Sequence, residues 1–233
     1  MSERLGSLRS LAYGARRRLS KVVLAGFFAS LAGAAAAEEI TIAALGDSLT
    51  QGYGLVQEDG FVPQLEAWLR ARGHEVTVIN AGVSGDTTAG GLARVGWTLT
   101  PEVDAMIVAL GGNDLLRGIA PEVSRANLEG ILQAADAGSV EVLLVGLQAP
   151  GNYGPDYKAA FDAMYPDLAR AYGALHAESF LGGLETAAEE DRTDAIARYM
   201  QADGIHPNAE GVARIVEALG PEVEALIARV PRS

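Results

Sequence analysis

The sequence predicts an α/β protein, with a mostly parallel sheet of about five strands held between two layers of helices. Three observations carry this reading. Short apolar, β-branched runs alternate with longer segments whose apolar residues recur at helical spacing. Each of the first three runs ends in a loop of small residues: Gly46-Asp47-Ser48, Asn80-Ala81-Gly82-Val83-Ser84-Gly85 and Gly111-Gly112-Asn113-Asp114. After residue 37 there is no internal repeat, linker or low-complexity tract, so one domain is expected. Such alternation gives a three-layer α/β/α sandwich.

Taken in order, Ile40 to Leu45 is the first strand, short and apolar enough to be buried. Residues 60–72 read as a helix, with Phe61, Leu65, Trp68 and Leu69 on one face and Gly73 as its C-terminal cap. Glu75 to Ile79 is the second strand. A helix from about Thr88 to Leu99 follows and is closed by Pro101. Val103 to Leu110 is the third strand, and Pro121 to Ala135 a helix with proline in its first turn. Glu141 to Leu147 is the fourth strand, and a loop from Gln148 to Pro155 leads into a helix over Tyr157 to Tyr172. Ala174 to Phe180 reads as a short fifth strand. The tail from Asn208 to Val230 starts as a helix with Val212, Ile215, Val216 and Leu219 on one face, which Gly220-Pro221 is expected to break or kink.

The N-terminus has a different character. Arg16-Arg17-Arg18 and Lys21 form a positive segment, Val22 to Leu31 is apolar, and Ala35-Ala36-Ala37 offers a small-residue cleavage site. The uncharged run between Lys21 and Glu38 is shorter than the roughly 20 residues that a membrane span needs. Residues 1–37 therefore read as a secretory signal peptide, with an uncleaved anchor as the alternative, and residues 38–233 as the folded domain. The paired arginines match a twin-arginine signal only weakly. A periplasmic or secreted location follows, with no stable membrane span once the signal is removed. The 233-residue chain has no cysteine, so neither a lipid-bearing thiol nor a disulfide is possible. Its net charge is -12; residues 1–37 hold six of the 18 basic residues and one of the 30 acids, which leaves the remainder at -17. That excess argues against nucleic acid and anionic membrane surfaces as partners.

Ser48 follows a buried strand, at the sheet edge where open α/β sheets place their ligands. The stretch lacks the Gly-x4-Gly-Lys-Ser/Thr pattern of a phosphate loop, and no lysine is near. A serine in this place either starts the next helix or serves as a nucleophile. His206 stands three residues after Asp203, in a loop bounded by Gly204 and Pro207. With Ser48 this pair supplies a nucleophile, a base and an orienting carboxylate. His74, in a turn, and His176, in a poorly patterned stretch, read as structural or exposed. Asp86 and Asp114 have no histidine partner at a metal-ligand spacing, so no metal site is expected.

Four blocks, Gly46-Asp47-Ser48-Leu49, Gly85, Gly111-Gly112-Asn113-Asp114 and Asp203-Gly204-Ile205-His206-Pro207, resemble in order the consensus blocks of the SGNH (GDSL) hydrolase family. Asn80-Ala81, Ser84-Gly85-Asp86-Thr87, Gly91-Leu92-Ala93-Arg94, Leu115 to Gly118, Asn152-Tyr153-Gly154 and Tyr165-Pro166 are similar to its bacterial periplasmic branch of acyl-CoA thioesterases, arylesterases and lysophospholipases. The resemblance spans nearly the whole of residues 38–233, although Glu178 to Met200 matches no block. It implies a flavodoxin-like fold, hydrolysis of carboxylic esters and thioesters of small acyl or aryl compounds, and no cofactor. It implies Ser48, Asp203 and His206 as catalytic residues. It implies an oxyanion hole from the Ser48 and Gly85 N–H groups and the Asn113 amide, and substrate contacts at Asn152 and Tyr153. Family members differ in how far they depend on the acid. Asp47 and Asn80 are expected to fix loops. A carbohydrate O-acetyl esterase or lysophospholipase on the same fold, or a periplasmic binding protein without turnover, are the alternatives. Acyl chain length and oligomeric state are not legible.

Overall fold

The computed structural model describes residues 39–185 and 192–231. The expected signal peptide lies outside the described residues. Strands β1 (Ile40–Gly46), β2 (Val76–Gly82), β3 (Ala105–Ala109), β4 (Glu141–Val145) and β5 (Leu175–Ala177) form one sheet in the order β2-β1-β3-β4-β5. All four pairings are parallel. Parallel strands need crossover connections, which put helices on both faces and bury the strands twice over. Ile42, Ala43, Ala44 and Leu45 are accordingly all fully buried, which explains why β1 reads as an unbroken apolar run.

The helices are α1 (Ser48–Gln51), α2 (Phe61–Ala71), α3 (Thr88–Thr98), α4 (Gly112–Leu116), α5 (Pro121–Ala137), α6 (Pro155–Tyr172), α7 (Arg192–Tyr199) and α8 (Ala209–Ile227). On one face Ile42, Ala44, Ile107 and Leu143 pack under α2 and α8, through Phe61, Leu65, Leu69, Ile215 and Val223. On the other, Ala43, Leu45, Met106, Val108 and Leu144 pack under α3, α5 and α6, through Val95, Leu128, Ile131, Phe161 and Leu168. The period-2 alternation of β1 thus feeds two separate cores. Each fully buried leucine or phenylalanine contributes about 1.5–3 kcal/mol by leaving water.

Strands β3, β4 and β5 are shorter than the sequence reading, and two other boundaries differ for identifiable physical reasons. β2 runs on through Asn80-Ala81-Gly82, because these residues stay paired with the end of β1 as far as Gly46–Gly82. α8 is not ended by Gly220-Pro221; it continues to Ile227. Pro221 removes one helical hydrogen bond, but Leu219, Gly220, Val223, Leu226 and Ile227 are all buried, and that packing holds the last turns in line.

The order of strands fixes where a ligand belongs. From β1 the chain moves one way to β2 and then back across to β3. The crevice beyond the C-terminal ends of β1 and β3 is the topological switch point. Ser48 follows β1, and Asn113 follows β3.

Candidate active site

The Ser48 loop is built by its cap. Asp47 is the N-cap of α1, and its Oδ1 accepts the Leu49 N–H at 3.0 Å. Asp47 is 5% exposed, and burial pushes its carboxyl up from the usual carboxylate value. Its other oxygen accepts the Asn113 side-chain amide at 3.2 Å. The cap therefore also aims Asn113. Ser48 is the first helical residue, so its N–H is one of the helix's unpaired donors. In the structure this serine starts a helix and holds its hydroxyl beside a histidine ring.

That ring is His206, whose Nε2 stands 2.9 Å from Ser48 Oγ. Its Nδ1 is 2.7 Å from Asp203 Oδ2. Asp203 Oδ1 accepts the backbone N–H groups of His206 at 3.0 Å and Ile205 at 2.9 Å. These donors, the His206 N–H first, then its ring, then the Ile205 N–H, lower the Asp203 carboxyl to about 2. An ionised carboxylate only accepts, so the hydrogen sits on Nδ1. In the neutral ring Nε2 is then the acceptor for the serine proton.

Gly85 has φ +82, a backbone conformation that only glycine adopts without strain. An added Cβ would meet only Arg117, at 3.8 Å. Conformation therefore selects glycine here. Among the described residues, neither the Ser48 nor the Gly85 N–H donates to a protein acceptor. Asn113 keeps one amide hydrogen beyond the one it gives Asp47. Asn80 fixes its loop as expected, accepting the Gly82 N–H at 3.0 Å and donating to the Gln51 carbonyl at 3.3 Å.

Asn152 and Tyr153 are exposed in the turn between β4 and α6, on the same edge of the sheet. Tyr153 rests against Tyr157, with ring centroids 5.0 Å apart, and over Gly118 just past α4. No hydrogen bond or ring contact joins either residue to Ser48, His206 or Asn113. A large cavity of about 1460 Å³, lined by Leu147, His176, Glu178, Leu184 and Tyr199 among others, reaches the catalytic loop only at Gly204. Ser48, Gly85 and Asn113 are not among its lining residues. His74 pairs with Glu224 at 2.9 Å, and His176 is part-buried, which lowers its pKa; neither joins the site.

Several residues at the site escape motif reading. The Tyr53 ring lies 4.6 Å from the His206 ring at 37°. Gln201 donates to the Tyr53 carbonyl at 2.8 Å and the Pro207 carbonyl at 2.9 Å, tying the Ser48 loop to the histidine loop. Asp114 is fully buried and accepts from the Thr88 N–H at 2.8 Å, the Thr88 hydroxyl at 2.6 Å and the Ser124 hydroxyl at 2.8 Å. This rules it out as a free ligand and makes it the anchor of α3 and α5 beside Asn113. Asp114 stood in a block that the sequence had marked and Gln201 in none; a carboxylate, glutamine or aromatic by itself gives no sign of its spatial partner.

Comparison with known proteins agrees with this geometry. The chain is similar to the esterase TesA of Pseudomonas aeruginosa, at 39% identity over 188 residues, covering 80% of this chain and 89% of that protein. It is 34% identical over 195 residues to the thioesterase 1/protease 1/lysophospholipase L1 of Escherichia coli K12, covering 83% of this chain and 87% of that one. A crystal structure of TesA matches with a TM-score of 0.71 at 38% identity, over 80% of this chain and 99% of that chain. The model of the GDSL-like lipase/acylhydrolase family matches residues 44–214, and the chain belongs to that family.

Proposed function

We propose that this chain, an ester and thioester hydrolase of the SGNH type, works through an acyl-enzyme on Ser48. The observation that carries the reading is the unbroken line Asp203–His206–Ser48, with contacts of 2.7 and 2.9 Å. His206 takes the proton from Ser48 Oγ as that oxygen attacks the carbonyl carbon. Asp203 holds the ring in the required tautomer and stabilises its charged form. The negative charge that develops on the carbonyl oxygen is met by the Ser48 and Gly85 N–H groups and the free Asn113 amide hydrogen. His206 then gives its proton to the departing alcohol or thiol. Water, deprotonated by the same histidine, releases the acid from Ser48. The chain itself supplies every group these steps need, so no metal or cofactor enters them.

The substrate is a small acyl or aryl ester or thioester that reaches Ser48 across the edge bearing Asn152 and Tyr153. The leader-like residues 1–37 support export to the periplasm or medium, where acyl-CoA is absent. Thioester cleavage is then a capability rather than the physiological task. Among the described residues no helix is long and apolar enough to cross a membrane.

The test is hydrolysis of p-nitrophenyl esters from acetate to palmitate by wild type and Ser48→Ala, with labelling by a fluorophosphonate. Activity and labelling that vanish together in the variant establish Ser48 as the nucleophile, and the chain-length profile bounds the acyl site. A folded wild type that is neither active nor labelled would mean a binding protein, and one that is labelled yet inactive on every p-nitrophenyl ester would mean a deacetylase confined to sugar esters.

A further inference from the structure

We propose that Arg94, paired with Asp86, is the positioning residue that sets the spacing of the oxyanion hole. The inference rests on the assignment of Ser48 as nucleophile and Gly85 as an oxyanion donor.

The β1–β2 ladder ends at Gly46–Gly82. Beyond it, one strand leads into the Ser48 turn and the other into the Gly85 turn. Little of the sheet remains to hold the two turns at a fixed distance. One backbone bond, from the Val83 N–H to the Gly46 carbonyl at 3.0 Å, joins them. Asn80 donates to the Gln51 carbonyl at 3.3 Å and the Ser84 hydroxyl to Gln51 Oε1 at 2.8 Å, and Arg94 of α3 adds three bonds from one side chain. Its Nη2 donates to the Gly46 carbonyl at 2.8 Å and its Nη1 to the Ala81 carbonyl at 2.6 Å. Its Nε donates to Asp86 Oδ2 at 2.6 Å. Gly46 stands two residues before Ser48, and Asp86 directly follows Gly85. A single rigid guanidinium therefore grips both turns and the strand end between them.

Burial strengthens the grip. The Arg94 side chain is 22% exposed and that of Asp86 18%, so water competes weakly for these bonds. The helix carrying Arg94 is itself fixed to the third donor. Its first turn, at Thr88, is bonded to Asp114, the residue after Asn113. The path from Gly46 through Arg94 and α3 to Asp114 links Ser48, Gly85 and Asn113. Lysine cannot replace this arrangement. Its ammonium is a point charge on a flexible stem, whereas arginine holds its donors in a planar fork matched to separate acceptors. Arg94 touches no reacting atom, and its effect passes entirely through backbone geometry.

The experiment compares kcat, KM and the pH profile of wild type, Arg94→Gln, Arg94→Lys and Asp86→Asn on one p-nitrophenyl ester. Rates are taken per site titrated by fluorophosphonate, and Tm is measured for each variant. Loosened oxyanion donors lower kcat per titrated site by about 10- to 100-fold, the scale of a displacement near 1 Å. KM stays within about 3-fold and the pH profile keeps its shape, because the Asp203–His206 pair is untouched. If Arg94→Gln does not fold, Arg94→Lys and Asp86→Asn, which each leave part of the clamp, carry the test. A lowered Tm with wild-type kcat per titrated site would overturn the proposal, since the clamp would then serve stability alone. A displaced pH profile would overturn it too, because the effect would then run through the histidine. Ser48→Ala is assayed alongside. If it stays active, the parent assignment fails; if it is dead while Arg94→Gln is fully active, only the clamp fails.

Discussion

At the scale of single residues, the proposed mechanism separates groups that hold a proton from groups that hold a charge. Asn113 is of the second kind. Replacing it with alanine removes one oxyanion donor and leaves the Ser48–His206 contact in place. We expect kcat to fall about 10²–10³-fold with KM little changed, measured by steady-state kinetics on a p-nitrophenyl ester. Asp203 is of the first kind. In Asp203→Asn the amide no longer demands a hydrogen on Nδ1, so the wrong tautomer competes, and kcat is expected to fall by up to about 10⁴-fold. The pH dependence of stability has a definite sign. Asp203 is lowered to about 2 in the fold, against about 3.9 in an unfolded chain. Its contribution is therefore complete above about pH 4 and is lost as the pH falls through 2. The Tm difference between wild type and Asp203→Asn should narrow as the pH falls below about 4. A difference that narrows near neutrality would show that another group, not Asp203, governs it.

At the scale of elements, the histidine is held by the link between two helices. α7 ends at Tyr199 and α8 starts at Ala209. Between them Met200 and Pro207 pair as an antiparallel bridge, and the Gln201 N–H donates to the His206 carbonyl at 2.7 Å. Asn208 caps α8 through the Gly211 N–H at 3.0 Å, and its own N–H donates to the Tyr199 carbonyl at 2.9 Å. Gly211 lies so close to that carbonyl that an added Cβ would overlap its oxygen. Backbone cannot step aside as a flexible side chain does, so Gly211→Ala pushes α7 and α8 apart. Overpacking of this kind costs about 1–3 kcal/mol, or about 2–12 °C in Tm for a domain of this size. Because the loop between the helices carries His206, kcat per active site should fall as well. Thermal melting and site-titrated kinetics check both. This link also marks the limit of what the sequence discloses. Asp203, His206 and Asn113 were legible because their chemistry and order form a pattern. Gln201, Asn208 and Gly211 were not, because each acts through the backbone of a neighbouring element, Tyr53 for Gln201 and Tyr199 for the other two. α4 and the one-turn α1 were read as loops, being too short for a helical period. α8 was expected to fail at Pro221, because a local rule takes no account of the burial of Val223, Leu226 and Ile227 beyond it.

At the scale of the molecule, the two-sided burial of β1 and the strand order place three separated blocks on one edge, and the link between α7 and α8 brings the fourth to them. Whole-molecule charge is legible in the sequence, and it has a kinetic consequence that no single residue shows. The full chain carries -12, and residues 38–233 carry -17. A substrate such as an acyl-CoA, with several phosphate charges, approaches against that field, whereas a p-nitrophenyl ester does not feel it. Added salt shortens the reach of the repulsion from about 30 Å at 0.01 M to about 8 Å at 0.15 M. Over that range kcat/KM for palmitoyl-CoA is expected to rise several-fold, while kcat/KM for the neutral ester stays flat. Arg117 works the other way: it sits at the end of α4, one turn past Asn113, and donates to the Gly85 carbonyl at 2.9 Å. If kcat/KM for palmitoyl-CoA falls with salt, this local cation outweighs the acidic body, and Arg117→Gln should then reverse the trend. A rise that survives unchanged in Arg117→Gln assigns the effect to the net charge.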